Sequence, residues 1–175
     1  MLTRLVHAPL TWIVVAVIGA GTAFGLFWFQ PWKLVTDTEV HETLSEVGAG
    51  PSAGPGTPAL VSRGDFVTHE HETRGSARIV RAADVRYRLE LVGLDTSNGP
   101  DLHVWLTDQP VRTGPSGWRV FDDGRHVALG ALKGNRGDQA YEIPAGIGLA
   151  GLTSVAIWCE RFAVSFGAAP LAPAG

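Results

Sequence analysis

The sequence predicts an all-β fold, an antiparallel β-sandwich or jelly-roll-like domain, behind one N-terminal transmembrane helix. Two observations lead to this prediction. No charged residue occurs from Leu10 to Trp32, and the chain after Ser62 consists of short alternating segments that are separated by Gly, Pro and Asn turn signals. No helical periodicity of useful length appears in that second part. A chain of 175 residues has room for one globular domain and an accessory segment.

The uncharged run, residues 10–32, is long enough to cross a membrane. At about 1.5 Å per residue it would extend about 35 Å, more than the roughly 30 Å of a hydrocarbon core. It is also longer than the apolar part of a cleavable signal peptide, which favours an uncleaved signal anchor. Arg4 precedes the run, whereas acids such as Asp37 and Glu39 follow it. This charge bias predicts a single-pass protein of the cell membrane, with residues 1–9 in the cytoplasm and the C-terminal domain outside it.

Composition divides the rest of the chain into three parts. Residues 33–61 contain four acids and a Gly/Pro-rich stretch, a composition that predicts a flexible linker. Residues 62–171 form the predicted β domain, and residues 172–175 form a C-terminal tail. From Ser62 onward 12 Lys or Arg stand against 13 Asp or Glu, so the domain has no basic character and nucleic-acid binding is not expected.

Alternation of apolar and polar residues marks the strands of the β domain. In one of them Leu89 and Leu91 are expected to face inward, and Arg88 and Glu90 outward. The other predicted strands are 64–70, 76–81, 102–106, 126–130, 139–143, 152–158 and 162–167. Eight or so short antiparallel strands at this spacing are typical of a sandwich or a jelly-roll-like barrel.

Cys159 is the one cysteine of the sequence, so an intrachain disulfide is excluded. The apolar residues before it and those from Phe162 onward occupy opposite parities, which predicts a bulge or tight bend near Glu160 and Arg161. Bulges are frequent beside active sites, so the thiol is a candidate functional group. A buried structural cysteine is the alternative, because free cysteine often behaves as a small core residue.

Several blocks of the sequence, taken together, resemble the pattern of a known family. They are Phe66 with His71 and Gly75; Asn98-Gly-Pro-Asp-Leu102 before Val104-Trp-Leu106; Leu129-Gly-Ala-Leu-Lys-Gly-Asn-Arg-Gly-Asp-Gln-Ala-Tyr141; and Ile157-Trp-Cys159 with Phe162, Val164 and Phe166-Gly167. Over residues 62–171 the chain resembles the DM-thirteen family. The resemblance implies an extracytoplasmic electron-transfer domain related to the DOMON superfamily of sugar- and haem-binding sandwiches. It also implies that Cys159 is the family's hallmark cysteine, acting as a bare thiol or as a ligand to a prosthetic group.

The remaining residues restrict the cofactors that such a domain could hold. One cysteine excludes covalent c-type haem, and Met1 as the only methionine excludes His/Met haem ligation and a blue-copper site with an axial Met. Ligation by Cys, His/His or Cys/His stays open, with haem or no cofactor at all. The candidates for a cofactor site are Cys159, His71, His103, His126 and Trp158. His71 is also two residues from His69, so in a strand both rings would project from one face.

Two polar loops are candidates for ligand binding. Asn98 and Asp101 belong to the first, and Lys133, Asn135 and Gln139 to the second. The Gly and Pro residues among them also suit a simple strand-linking turn, most clearly in the first loop.

The leading hypothesis is a membrane-anchored redox domain that uses Cys159 and an unidentified redox partner. The alternative is a non-catalytic, DOMON-like binding module for a sugar or cell-envelope partner, with Trp105, Trp118 and Trp158 as stacking surfaces. No hydrolase elbow, zinc-protease helix or phosphate loop occurs in the sequence, so a redox or binding role is favoured over a classical enzyme.

Overall fold

A computed structural model describes residues 9–47 and 57–174. They form one α-helix and two packed β-sheets, which confirms the predicted all-β sandwich behind an N-terminal helix. The helix is α1 (Pro9–Phe29), and the strands are β1 (Glu39–His41), β2 (Ala59–Asp65), β3 (Val67–Thr68), β4 (Arg74–Arg81), β5 (Tyr87–Asp95), β6 (Leu102–Thr107), β7 (His126–Ala131), β8 (Arg136–Glu142), β9 (Ser154–Cys159), β10 (Val164–Pro170) and β11 (Ala172–Pro173).

Helix α1 is 21 residues long and none of its residues is buried against the rest of the described chain. Its length and composition would allow it to cross a membrane. The helix ends at Phe29, three residues before the predicted end at Trp32. Gln30 adopts a left-handed conformation (φ 44°), and Pro31, which has no N–H to donate, begins a short 3₁₀ turn.

The strands form two sheets, in the order β1-β8-β5-β4-β2-β11 and β3-β10-β9-β6-β7. All pairings are antiparallel except that of β1 with β8. The inward faces carry the apolar residues that alternation predicts, and they meet in one core. Its fully buried members include Ile79, Leu89 and Leu91 of the first sheet and Val104 and Ile157 of the second.

A second, smaller core covers the outer face of the five-stranded sheet. Trp105 of β6 and Trp158 of β9 lie on that face, and Phe121 from the long β6–β7 connection packs over them. The ring centroids of the two tryptophans are 5.1 Å apart, and Phe121 meets Trp158 edge-on at 6.3 Å. The second sheet is therefore buried on both faces around these residues.

The prediction of a flexible linker at residues 33–61 is wrong for both ends of that range. Strand β1 lies inside it and pairs with β8 through Glu39 and Arg136, and β2 begins at Ala59. Acids that suggested a solvated tether instead have partners in the domain: Glu42 binds Lys133 at 2.7 Å. The middle of the predicted linker, residues 48–56, lies outside the described residues.

The segment after β1 also buries a charged pair on the outer face of the first sheet. Glu90 of β5 is fully buried, although alternation predicts an exposed residue there. Its carboxylate accepts a hydrogen bond from Nε of Arg78 on β4 at 2.7 Å and another from the backbone N–H of Ser45 at 2.8 Å. Arg78 in turn donates to the Ser45 carbonyl at 2.8 Å. The linker prediction failed here because a polar segment can be ordered by a buried ion pair.

Candidate functional site

Cys159 is the last residue of β9 and faces the main core. It is fully buried, and Leu102 of β6 and Val164 of β10 lie directly beside it in the sheet. The parity change after it is a hairpin turn, residues 160–163, between two separate strands. A register irregularity does occur nearby, but it lies within β10, between Ser165 and Gly167. The tight bend expected near Glu160 and Arg161 is thus confirmed as a hairpin turn.

The environment of the Cys159 sulfur acts on its acidity in two directions. Burial raises the pKa of the Cys159 thiol above its ordinary value, because the thiolate would lose its hydration. The backbone N–H groups of Phe162 and Arg161, both in the turn, donate towards the sulfur and oppose that rise. A buried thiol of raised pKa is protonated and unreactive at neutral pH. The turn therefore both covers the sulfur and supplies the donors that would stabilise a thiolate.

Arg119 holds one side of the turn. Nη1 of Arg119 donates to the carbonyl oxygens of Phe162 at 3.1 Å and Ala163 at 3.3 Å. Ala163 has a positive φ of 49°, which is unusual for a residue other than glycine. The turn is thus a constrained connection, and changes that release it are expected to loosen the cover over Cys159.

The same turn contacts the end of α1. Arg161 donates from Nη1 to the carbonyl oxygens of Phe27 at 3.3 Å and Trp28 at 2.6 Å, where the helix dipole favours a cation. Phe162 stacks on Phe29 with ring centroids 5.8 Å apart. These contacts join the cysteine-bearing hairpin to the helix. The role of Arg161 and Phe162 escaped sequence reasoning, although their position just after Cys159 was a signal.

The three candidate histidines do not gather around Cys159. His103 is paired with Trp158, so it points to the face of the sheet opposite the cysteine. His126 is exposed and stacks on Trp105 of that same outer face at 3.9 Å. His71 lies on the ring of Phe166 at 3.9 Å, and burial lowers the pKa of its imidazole.

His69 does not share a face with His71, because β3 ends before both of them. Its ring is buried beside Phe121, with Nδ1 2.8 Å from the Ser165 hydroxyl and Nε2 3.0 Å from the Arg112 carbonyl oxygen. Burial lowers the pKa of this imidazole too. The condition for a pair of imidazoles on one strand face, that both histidines lie in a strand, is therefore not met.

Haem ligation by Cys159 does not fit this packing. The sulfur is enclosed by apolar side chains on the core side of β9, whereas a prosthetic group needs an open face next to its ligand. Trp158, the predicted neighbour of a cofactor, is 2% exposed and points away to the outer face. Trp105 is also buried, so neither ring is open to a stacking sugar.

Four of the five binding-loop candidates line one polar cavity of about 250 Å³, together with His103. They are Asn98, Asp101, Lys133 and Asn135. Several of their polar ends already have partners, since Lys133 binds Glu42 and Asn135 donates to Asp37 at 2.8 Å. Gln139 does not line this cavity.

Gln139 is fully buried and ties the second loop together. It donates to the Gly134 carbonyl at 2.7 Å and accepts from the Tyr141 hydroxyl at 2.9 Å and the Lys133 N–H at 3.2 Å. These hydrogen bonds give Gln139 a role in holding the shape of the loop, and that role does not require contact with a ligand.

Comparison with known protein families gives a match over most of the β domain. The model of a family described as electron transfer DM13 matches residues 65–171, which is more than half of the chain. Neither curated proteins nor solved structures gave a match. The matched range begins near the end of β2 and includes β9, β10 and the turn that covers Cys159.

Proposed function

Because the chain belongs to the electron-transfer DM13 family, we propose that it is a membrane-tethered electron-transfer domain whose redox group is the Cys159 thiol. The observation that carries this proposal is the double role of the turn at residues 160–163. It closes over the cysteine and also contacts the end of α1.

A bare thiol agrees better with the packing than a cofactor ligand does. Cys159 shares its side of the sheet with apolar core residues, and backbone groups of the turn and of Asp101 form hydrogen bonds with its sulfur. The thiol becomes accessible when the turn opens. A thiolate released in this way attacks one sulfur of a partner's disulfide; a mixed disulfide forms as the partner's S–S bond breaks, and the second sulfur leaves as a thiolate.

The charges on either side of α1 support an orientation in the membrane. Arg4 lies before the helix, and the acids Asp37 and Glu39 lie after it. We propose that the domain is outside the cytoplasm, where a disulfide-bearing partner is stable. Protease added to intact spheroplasts is expected to digest the domain. Digestion only in inverted vesicles would contradict this orientation.

Thiol labelling of the full chain in detergent tests the role of the turn. We expect Cys159 to react slowly in the folded wild type, and Arg161→Met to raise the rate about 10-fold or more. The reason is that Nη1 of Arg161 donates two charge-assisted hydrogen bonds, which hold the turn on the helix. Labelling with a maleimide, followed by mass spectrometry, measures the rate.

The matched control is Arg125→Met, which removes a similar bond to the Ala150 carbonyl far from the turn and should leave the rate unchanged. Incubation with a model disulfide should give a mixed disulfide in wild type and none in Cys159→Ser. The thiol is structural if Cys159 labels only on global unfolding in every variant and forms no mixed disulfide. The non-catalytic binding module would then replace the redox proposal.

A further inference from the structure

A second constellation lies on the other side of the sheet from the Cys159 sulfur. Asp101, just before β6, His103 of β6 and Glu160, just after β9, bring one ligand atom each to within 4.8 Å of one another. The Asp101 carboxylate oxygen is 3.2 Å from Nε2 of His103, and the Glu160 carboxylate oxygen is 3.5 Å from Nδ1.

This arrangement places a carboxylate against both nitrogens of one imidazole. A neutral imidazole carries one N–H, so it can donate to one of these carboxylates while its other nitrogen turns a lone pair towards the second. That second contact is repulsive unless a proton or a metal ion occupies the nitrogen. A metal ion on one ring nitrogen removes the conflict, because the other nitrogen then donates its N–H to the remaining carboxylate, as is usual for metal-bound histidine.

The backbone holds the three residues in place. Leu102 is paired with Cys159 and His103 with Trp158, and the N–H of Glu160 donates to the Asp101 carbonyl at 3.0 Å. The two carboxylates therefore lie on adjacent strand ends with little freedom to separate. A site built on paired strands is better suited to a fixed coordination geometry than one on a loose loop.

The cluster is also accessible. All three side chains are partly exposed, and Asp101 and His103 line the polar cavity of about 250 Å³. Two lysines line the same cavity, but Nζ of Lys133 is paired with Glu42, which leaves Lys33 as the charge that opposes a cation there. Solvent in the cavity can supply the remaining ligands of an ion.

We propose that Asp101, His103 and Glu160 form a binding site for a divalent transition-metal ion of the Zn²⁺ type, in which His103 and one carboxylate bind the ion and the other carboxylate accepts the N–H of the second ring nitrogen. Imidazole nitrogen with carboxylate oxygen is a donor set that Zn²⁺ accepts, whereas Ca²⁺ and Mg²⁺ prefer oxygen alone. Water completes the coordination. The Cys159 sulfur is not a ligand of this site, so metal binding does not require the proposed redox function, although Glu160 belongs to the turn that covers the sulfur.

Equilibrium dialysis of the full chain in detergent, without a histidine tag, tests the site. We expect one Zn²⁺ per chain, and weakening of about 10-fold or more in His103→Gln, because the imidazole is the only nitrogen donor of the set. Glu160→Gln, at an exposed position, should also weaken binding and keeps the test valid if the His103 variant does not fold. Co²⁺ substitution should give a visible absorption band that the His103 variant lacks.

The control variant is His41→Gln. His41 contacts Glu39 at 3.2 Å in an exposed pair, and among the described residues it belongs to no group of three metal-binding side chains, so its loss should leave Zn²⁺ binding unchanged. Equal Zn²⁺ binding by wild type, His103→Gln and Glu160→Gln would overturn the proposal. So would Ca²⁺ binding as tight as Zn²⁺ binding, because it would show only a negatively charged surface.

Discussion

Replacement of Arg78 by Met is expected to lower the free energy of unfolding by about 3–5 kcal/mol, the range for breaking a buried ion pair from one side. Glu90 would stay fully buried after losing its partner on the neighbouring strand. The Ser45 carbonyl would lose its donor as well. Chemical denaturation of the full chain in detergent, followed by tryptophan fluorescence, measures the loss.

The control is Arg74→Met on the same strand. Arg74 pairs with Glu72 on the surface, where both side chains are largely exposed, so its loss should cost less than about 1 kcal/mol. The double variant Arg78→Met, Glu90→Met should recover most of the stability, because it leaves no uncompensated charge. Equal effects of the two single arginine variants would show that the segment around Ser45 does not cover the sheet.

Trp158→Ala is expected to cost a similar amount, about 3–5 kcal/mol, through the cavity that it leaves on the outer face of the second sheet. The ring is 2% exposed and packs between Trp105 and Phe121. The same denaturation experiment applies, with Trp105 as the remaining fluorophore of this core.

Trp158→Phe serves as the comparison, because it keeps an aromatic ring and should lose less than half as much stability. A loss below about 1 kcal/mol for Trp158→Ala would mean that the ring is not part of a packed core. The residue would then regain the cofactor-facing role that the sequence suggested.

Local periodicity was sufficient to predict the sandwich, because inward residues such as Leu89 and Leu91 alternate regularly along each strand. The same reasoning failed for Glu90. Alternation assigns it to the solvent face, and the cover on that face comes from a segment whose composition resembles a linker. Strand β1 is three residues long and pairs with a strand near position 136, so no local sequence pattern predicts it.

The sequence likewise predicted one part of the candidate site and missed another. A single cysteine beside a parity change drew attention to the hairpin at residues 160–163. The contact of Arg161 with α1 depends on tertiary packing, as does the meeting of Glu160 with Asp101 and His103. Residues that are distant in the sequence come together only through strand order, and periodicity contains no information on strand order.

The short path from α1 to the sandwich affects how a partner can meet this domain. Nine residues separate Phe29 from Glu39, part of them in a 3₁₀ turn, and Arg161 fastens the hairpin to the helix. With α1 in a bilayer, the domain cannot swing like a carrier on a long flexible arm. Encounters between the domain and a partner then depend on lateral diffusion and on a narrow range of heights above the lipid. A membrane-bound partner at the same height therefore has a higher effective concentration than a freely dissolved partner.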